Sequence, residues 1–223
     1  MAESKVTLTG YSLADIMSVP SLRRYLDGMD EKTMKIALAR AINRTMVHVR
    51  ANTVRGLAAI LFVRHKDIRS SLRLRKAHPA KLEGAMEGRG PKAIELYKFA
   101  PQPKTLPGPG RRRPPVGVSV RIRRDRRRVR VRGSFIARSA SGSLGVFKRV
   151  RGDRSLPIRR LFGPAPMAYF LREYGLPAGV TPIYEVVEND IEEFFDRQLE
   201  RELRFEAEVR QTLPARPSAW GRI

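Results

Sequence analysis

Residues 121–132 read Arg-Ile-Arg-Arg-Asp-Arg-Arg-Arg-Val-Arg-Val-Arg, and whether this run is a solvated basic tail or part of a folded sheet decides the architecture. Val118, Val120 and Ile122 alternate with Ser119, Arg121 and Arg123. After Arg124-Asp-Arg-Arg127 the alternation resumes, with Val129 and Val131 set between Arg128, Arg130 and Arg132. Successive side chains leave a strand on opposite faces, so a period of two marks strands, and the polar run between the halves supplies a turn. The stretch is predicted as a β-hairpin whose valines and Ile122 face a core. Its other face then carries Arg121, Arg123, Arg128, Arg130 and Arg132 as a comb, with same-strand neighbours roughly 7 Å apart. Like charges at that spacing repel, so the comb must be solvated, paired with acids, or turned to phosphates.

Around the hairpin, Gly133–Arg138 and Gly145–Arg149 read as further strands joined by a Ser139–Ser143 loop, and together they predict a mostly antiparallel sheet. Leu72–Ala77, Leu82–Gly88 and Ile94–Phe99 read as short strands broken by turn residues. Residues 100–117 begin APQPKTLPGPGRRRPP, a composition that predicts a long flexible basic loop holding Arg111, Arg112 and Arg113. The segment LPIRRLFGPAP, from Leu156, reads as rigid and irregular because its prolines fix the backbone.

From Asp30 the period changes to three and four. Asp30 suits an N-cap and Glu31 the positive end of the helix dipole. Met34, Leu38, Ala41, Ile42, Thr45, Met46, Val49, Leu57 and Ile60 then form one apolar face, while Lys35, Arg40, Arg44 and Arg55 read as a solvated basic face. A short helix follows at His65–Leu72, and Ser12–Met17 and the residues after Pro20 suit short helices in an N-terminal arm. The last helix starts at a Thr181 cap with Pro182 in its first turn and runs to about Gln211, with an apolar stripe of Val187, Ile191, Phe194, Phe195, Leu199 and Leu203. Glu185, Glu188, Asp190, Glu192, Glu193 and Asp196 crowd its first turns in greater number than the dipole alone explains, which points to a basic face on a neighbouring copy. The expected class is α+β, with a long N-terminal and a C-terminal helix packed on the sheet: an arm at 1–29, a single domain at 30–211, and a tail at 212–223.

Bulk composition narrows the function. Lys plus Arg less Asp plus Glu is 45 − 22 = +23 over 223 residues, a charge that opposes compact packing unless a polyanion or acidic protein stands nearby. With 42% hydrophobic residues the chain has enough for a core. The absence of cysteine removes disulfides, thiolate metal sites and thiol catalysis, and His48, His65 and His78 have no ligand spacing. The run Leu57–Val63 is too short to span a bilayer, and the N-terminus MAESKVTLTGYS lacks an export pattern, so synthesis in a cytoplasm is expected. No nucleophile and base are signposted, GAMEGRGPK (Gly84–Lys92) lacks the Gly-Lys-Ser/Thr ending of a phosphate loop, and the chain is expected to be neither an enzyme nor a binder of cofactor, metal or small-molecule substrate.

Two classes compete with a structural role. Ala58, Phe62 and Ile68 match the apolar framework of a helix-turn-helix over residues 55–72, which would make a sequence-specific DNA-binding regulator, although Phe62 stands where that turn wants glycine. A basic RNA-binding protein of the ribosomal kind is the other.

ALARAINRT (Ala37–Thr45), VRHKDIRSSLRLRKA (Val63–Ala77), GSFIARSASGSLGVFKRV (Gly133–Val150) and LPIRRLFGP (Leu156–Pro164), in that order and spacing, resemble the minor tail protein Z family of tailed phages and prophages over about residues 30–205. The chain departs from the family picture in its proline-rich loop and in FLREYGLPAG (Phe170–Gly179). The resemblance implies a virion protein of the tail, made in the bacterial cytoplasm, that acts in tail completion at the head-proximal neck. It further implies a homo-oligomeric ring, six copies being the expected number, with the tail terminator or major tail protein, head-tail connector proteins, tape-measure protein and genomic double-stranded DNA as neighbours. In that setting Arg111, Arg112, Arg113 and the comb arginines are candidate DNA or polyanion contacts. Leu156, Pro157, Ile158, Phe162, Gly163, Pro164, Glu188, Glu192 and Glu193 are candidate subunit contacts.

Overall fold

Asp30 opens the long helix by the means its residue type suggests. Its carboxylate accepts from the Thr33 backbone N–H at 3.2 Å and from the Thr33 hydroxyl at 2.9 Å, satisfying a donor that a first helical turn leaves without an intrahelical partner. The computed structural model describes residues 5–8, 20–26, 29–88, 94–106, 116–150, 157–170 and 183–212. Its helices are α1 (Pro20–Leu26), α2 (Glu31–Ile60), α3 (His65–Ser71), α4 (Pro166–Phe170) and α5 (Ile183–Thr212). Its strands are β1 (Lys5–Leu8), β2 (Leu72–Arg75), β3 (Gly84–Gly88), β4 (Val118–Val120), β5 (Val129–Val131), β6 (Ser134–Arg138), β7 (Leu144–Arg149) and β8 (Ile158–Arg160). They form sheets ordered β1-β3-β2, β4-β5 and β6-β7-β8, and the pairings of the last two are antiparallel. The class is α+β, as the sequence predicts.

Two compact units divide the chain. The main segments of one are Arg50–Arg73 and Glu87–Val186; those of the other are Val6–Val49, Leu74–Met86 and Val187–Ile223. In the first, Leu57, Leu61, Ile68, Phe99, Val118, Val120, Val146 and Phe170 are buried. Phe135 and Phe147 are cross-strand partners on β6 and β7, with ring centroids 6.4 Å apart. Burying one such ring contributes about 2 to 3 kcal/mol, which is why short strands suffice here. In the second unit, Leu38, Ile42, Met46 and Val49 of α2 are buried, as are Met86 of β3 and Phe195, Leu199 and Leu203 of α5.

Several elements differ from expectation. Ile94–Phe99 is not a strand: Leu96–Lys98 is a 3-10 turn, closed by the Lys98 N–H on the Glu95 carbonyl at 2.9 Å. Apolar residues at Ile94, Leu96 and Phe99 are all buried, so their spacing reflects a tight turn into the core rather than one face of a strand. Residues 158–160, expected to be irregular, form β8, and the following residues continue inward through an isolated bridge of Phe162 with Glu95. Helix α4 starts at Pro166, a residue suited to a first helical position. The expected helix at Ser12–Met17 and the Thr181–Pro182 start of the last helix lie outside the described residues, as do residues 107–115 of the proline-rich loop. Ahead of them, Gln102 pairs with Ser119 of β4 through two backbone hydrogen bonds of 2.8 and 3.0 Å.

A candidate polyanion face and candidate interface surfaces

The hairpin forms with Val118 opposite Val131, Ser119 opposite Arg130 and Val120 opposite Val129. It ends after three pairs. Beyond Val120 the chain leaves β5 and runs beside the end of α2: the Phe62 N–H donates to the Ile122 carbonyl at 2.8 Å, the Arg124 N–H to the Ile60 carbonyl at 2.9 Å, and Leu61 bridges Arg123. Gly117 makes the entry possible. Its φ is +95°, and a Cβ there would lie 2.1 Å from the Val131 carbonyl oxygen. The core therefore lies under β4 alone. Val118 and Val120 are fully buried, whereas Val129 is 52% exposed, contrary to the expectation that both strands put their valines inward.

This path sorts the arginines that alternation placed on one comb. Arg123 is 7% exposed, and its Nε and Nη2 donate to the two Asp125 carboxylate oxygens at 2.9 and 2.7 Å. That hydrogen bonding holds the Asp125 carboxyl below its usual range, and the charges of Arg123 and Arg126 add to the effect. Arg121 donates to the Arg124 carbonyl and lies over the Phe62 ring, with its Nε buried and lacking a hydrogen-bond partner. Arg128 donates from both terminal nitrogens to the Ala100 carbonyl at 2.7 Å. These three brace the loop. Arg130 and Arg132 are exposed, and so are Arg126 and Arg127, which the sequence pattern assigned only to turn formation. The lone Asp125 within the basic run was the available signal: one acid among arginines is claimed by one of them, and the rest stay in surplus. Arg111, Arg112 and Arg113 lie outside the described residues.

The same loop closes the two-helix corner at residues 55–72. Phe62 sits beneath both Arg121 and Arg124, whose guanidinium carbons lie 4.9 and 5.3 Å from its ring centroid. The Arg124 Nε donates to the Ala58 carbonyl at 2.7 Å. Helix α3 is only His65–Ser71, two of its residues, Ile68 and Ser71, are buried, and β2 begins at the next residue. Beside this corner lies a cleft of about 590 Å³ with an apolar floor of Phe62, Val63, Tyr97 and Pro101 and with Arg64, Lys98, Lys104 and Arg124 among its lining. Its cations come from separate segments, so no local pattern announced them.

The candidate interface segment is half built into its own unit. Pro157 is exposed, and Ile158, Phe162, Gly163 and Pro164 are intermediate; Leu156 lies outside the described residues. Arg160 donates to Glu95 at 2.5 Å and to the Ser143 hydroxyl at 2.8 Å, and lies over the Phe147 ring. Gly163 abuts the buried Phe99 ring so closely that a Cβ would come within 2.2 Å of it. The Ser139, Ser141 and Ser143 hydroxyls bond one another at the tip of the β6–β7 hairpin, as polar turn residues do.

The acids of α5 divide in two groups. Asp190, Glu200, Glu202 and Glu206 meet His48, Arg24, Arg44 and Arg40 of the same unit. Glu192 and Glu193 are exposed; Glu193 reaches Arg197 at 3.7 Å, with both side chains largely in solvent. Burial, and then the neighbouring Glu192, push the Asp196 carboxyl above its usual range. Glu188 lies outside the residues whose side chains are described. Among the described residues no group of three or more His, Asp or Glu could hold a metal ion, and no helix is long and apolar enough to cross a membrane.

The family model described as prophage minor tail protein Z matches residues 22–213. No curated protein matches the chain, and neither does any solved structure.

Proposed function

Because the chain belongs to the prophage minor tail protein Z family and is thus a structural protein of the phage tail, we propose that it completes the tail as a ring of identical copies at the head-proximal end. There it supports head-tail joining and DNA passage, with tail terminator or major tail protein and connector proteins as neighbours. The reading makes no use of catalysis. One observation carries the DNA contact: Arg126, Arg127, Arg130 and Arg132 are exposed on a single hairpin, and the lone acid of the stretch is already committed to Arg123. Such a cluster tracks phosphates without reading bases, because guanidinium binds phosphate in a sequence-blind way. The candidate contacts Arg121, Arg123 and Arg128 then act by holding this loop in shape, while Arg111, Arg112 and Arg113 remain candidates on the adjoining segment.

The short, loop-capped α3 favours this reading over a regulator that places a helix in the major groove. Quantitative peptide mass spectrometry on purified particles, scaled to the major tail protein, tests it. A handful of copies per particle, with gold-labelled chain found at the neck by electron microscopy, is the expected result. Absence from particles, or label along the whole tail, would overturn the neck-ring reading.

A further inference from the structure

Beyond the hairpin arginines, charge is left over among the described residues on α5 and beside Phe62. On α5, Glu192, Glu193 and Asp196 form one patch at i, i+1 and i+4. Their cationic neighbour is Arg197, at the far end of a solvated 3.7 Å pair with Glu193. The acids of the helix that pair with other elements, Asp190, Glu200, Glu202 and Glu206, are held within the chain. At the cleft beside Phe62, Asp67 engages Arg64 at 3.2 Å and Lys98 at 3.5 Å, which leaves Lys104 and Arg124 without an acid among the described residues. Arg124 is pre-ordered, held by the Ala58 carbonyl and by the Phe62 ring, so little freedom is lost when a carboxylate arrives.

Lining separates this cleft from the hairpin turn. The turn forms a hollow of about 560 Å³ lined by Arg121, Asp125, Arg126, Arg127 and Arg128, with no apolar side chain, and suits a polyanion. The cleft is concave, with an aromatic and proline floor and cations around it, and takes a ridge that carries both carboxylates and apolar surface. A helix face with adjacent exposed glutamates, each a carboxylate on a short aliphatic stem, has that chemistry. Duplex DNA presents a uniformly charged backbone and brings nothing apolar to the Phe62, Val63, Tyr97 and Pro101 lining.

We infer that the Phe62–Arg124 cleft of one copy receives the Glu192–Glu193–Asp196 face of α5 from a second copy. The contact is heterologous, since two different patches meet, and repetition of such a contact closes a ring when the rotation allows. It rests on the ring reading above and names the surfaces that would build it.

The test uses the full chain in two charge-reversed variants, Glu192→Lys with Glu193→Lys, and Arg64→Glu with Lys104→Glu. All four positions are exposed, so native melting curves are expected. Sedimentation velocity at low salt should show each variant self-associating at least about tenfold more weakly than the unaltered chain. A 1:1 mixture should regain assembly, because the reversed face of one meets the reversed cleft of the other. Neutral versions, Glu192→Gln with Glu193→Gln and Lys104→Gln alone, should weaken assembly without creating repulsion. Unaltered assembly of either reversed variant, or a mixture that stays dissociated, overturns the pairing; several copies per particle by mass spectrometry would then still uphold the ring. A single copy per particle would sink both.

Discussion

Glu202 of α5 lies 2.8 Å from the Arg44 Nε of α2 and is only 3% exposed, so a carboxylate on the C-terminal helix is buried against a guanidinium on the long helix. The relationship repeats along the same unit, with Arg40 on Glu206, Arg24 on Glu200 at 3.0 Å, and the His48 ring 2.6 Å from Asp190 and stacked on Phe194 at 3.8 Å. The Arg40 and Arg44 face that periodicity assigned to solvent is therefore largely answered within the chain.

Glu202→Ala should lower the unfolding free energy by about 2 kcal/mol. The change removes a buried carboxylate bonded to charge and leaves Arg44 without its partner, but that arginine is half exposed and water compensates part of the loss. Glu192→Ala, on the exposed stretch of the same helix, should change it by less than about 0.5 kcal/mol. Urea unfolding of the two variants makes the comparison; equal midpoints would mean that the ion pair contributes nothing.

Gly163→Ala should cost about 1 to 3 kcal/mol through overpacking against Phe99, which is fully buried and has no room to yield. Phe99→Leu should relieve part of that cost in the double variant, leaving it more stable than the sum of the single changes predicts. Thermal melts of the four chains in this cycle measure the coupling, and strict additivity would mean that the ring shifts aside freely and the close approach is not what requires glycine.

Acid should release the Arg123–Asp125 pair late. The folded carboxyl is depressed below its ordinary value of 3.8, so the pair's contribution is complete above the unfolded value and disappears as pH falls through the lower folded one. Carbon-detected titration of Asp125 should place its midpoint below those of exposed carboxylates, and Asp125→Asn should remove that signal and loosen residues 121–128. A midpoint at the ordinary value would show that the pair does not persist in solution.

Arg126, Arg127, Arg130 and Arg132 changed together to serine should keep the native melting temperature, weaken duplex binding at all sequences alike, and flatten its salt dependence by about one unit of slope for each phosphate no longer neutralised. Arg123→Ser should do the reverse, lowering stability with a smaller effect on the salt slope. Fluorescence anisotropy over a salt series separates the two, and an unchanged slope in the fourfold variant would remove this face from DNA binding.

Where one local rule decides, the sequence was readable. The Asp30 cap, the long helix, and β6 and β7 each follow from residues a few positions apart. The arginine comb was not readable in the same way. Alternation says which side of a strand a residue takes only while the strand lasts, and the pairing of Ile122 and Arg124 with the end of α2 ends it after Val120. The cleft was invisible for a related reason, since Arg64, Lys98, Lys104 and Arg124 are near one another only after distant segments meet.

By itself the sequence determined the α+β class, the excess positive charge, its lack of cysteine and, through ordered motifs, the tail-protein family. These depend on composition and short-range periodicity, which no tertiary contact can alter. Only the tertiary structure decided which charges are engaged inside the molecule and which are left to meet a partner. A guanidinium that is buried, hydrogen-bonded or stacked has already exchanged water for protein, and that exchange depends on neighbours far away in the chain.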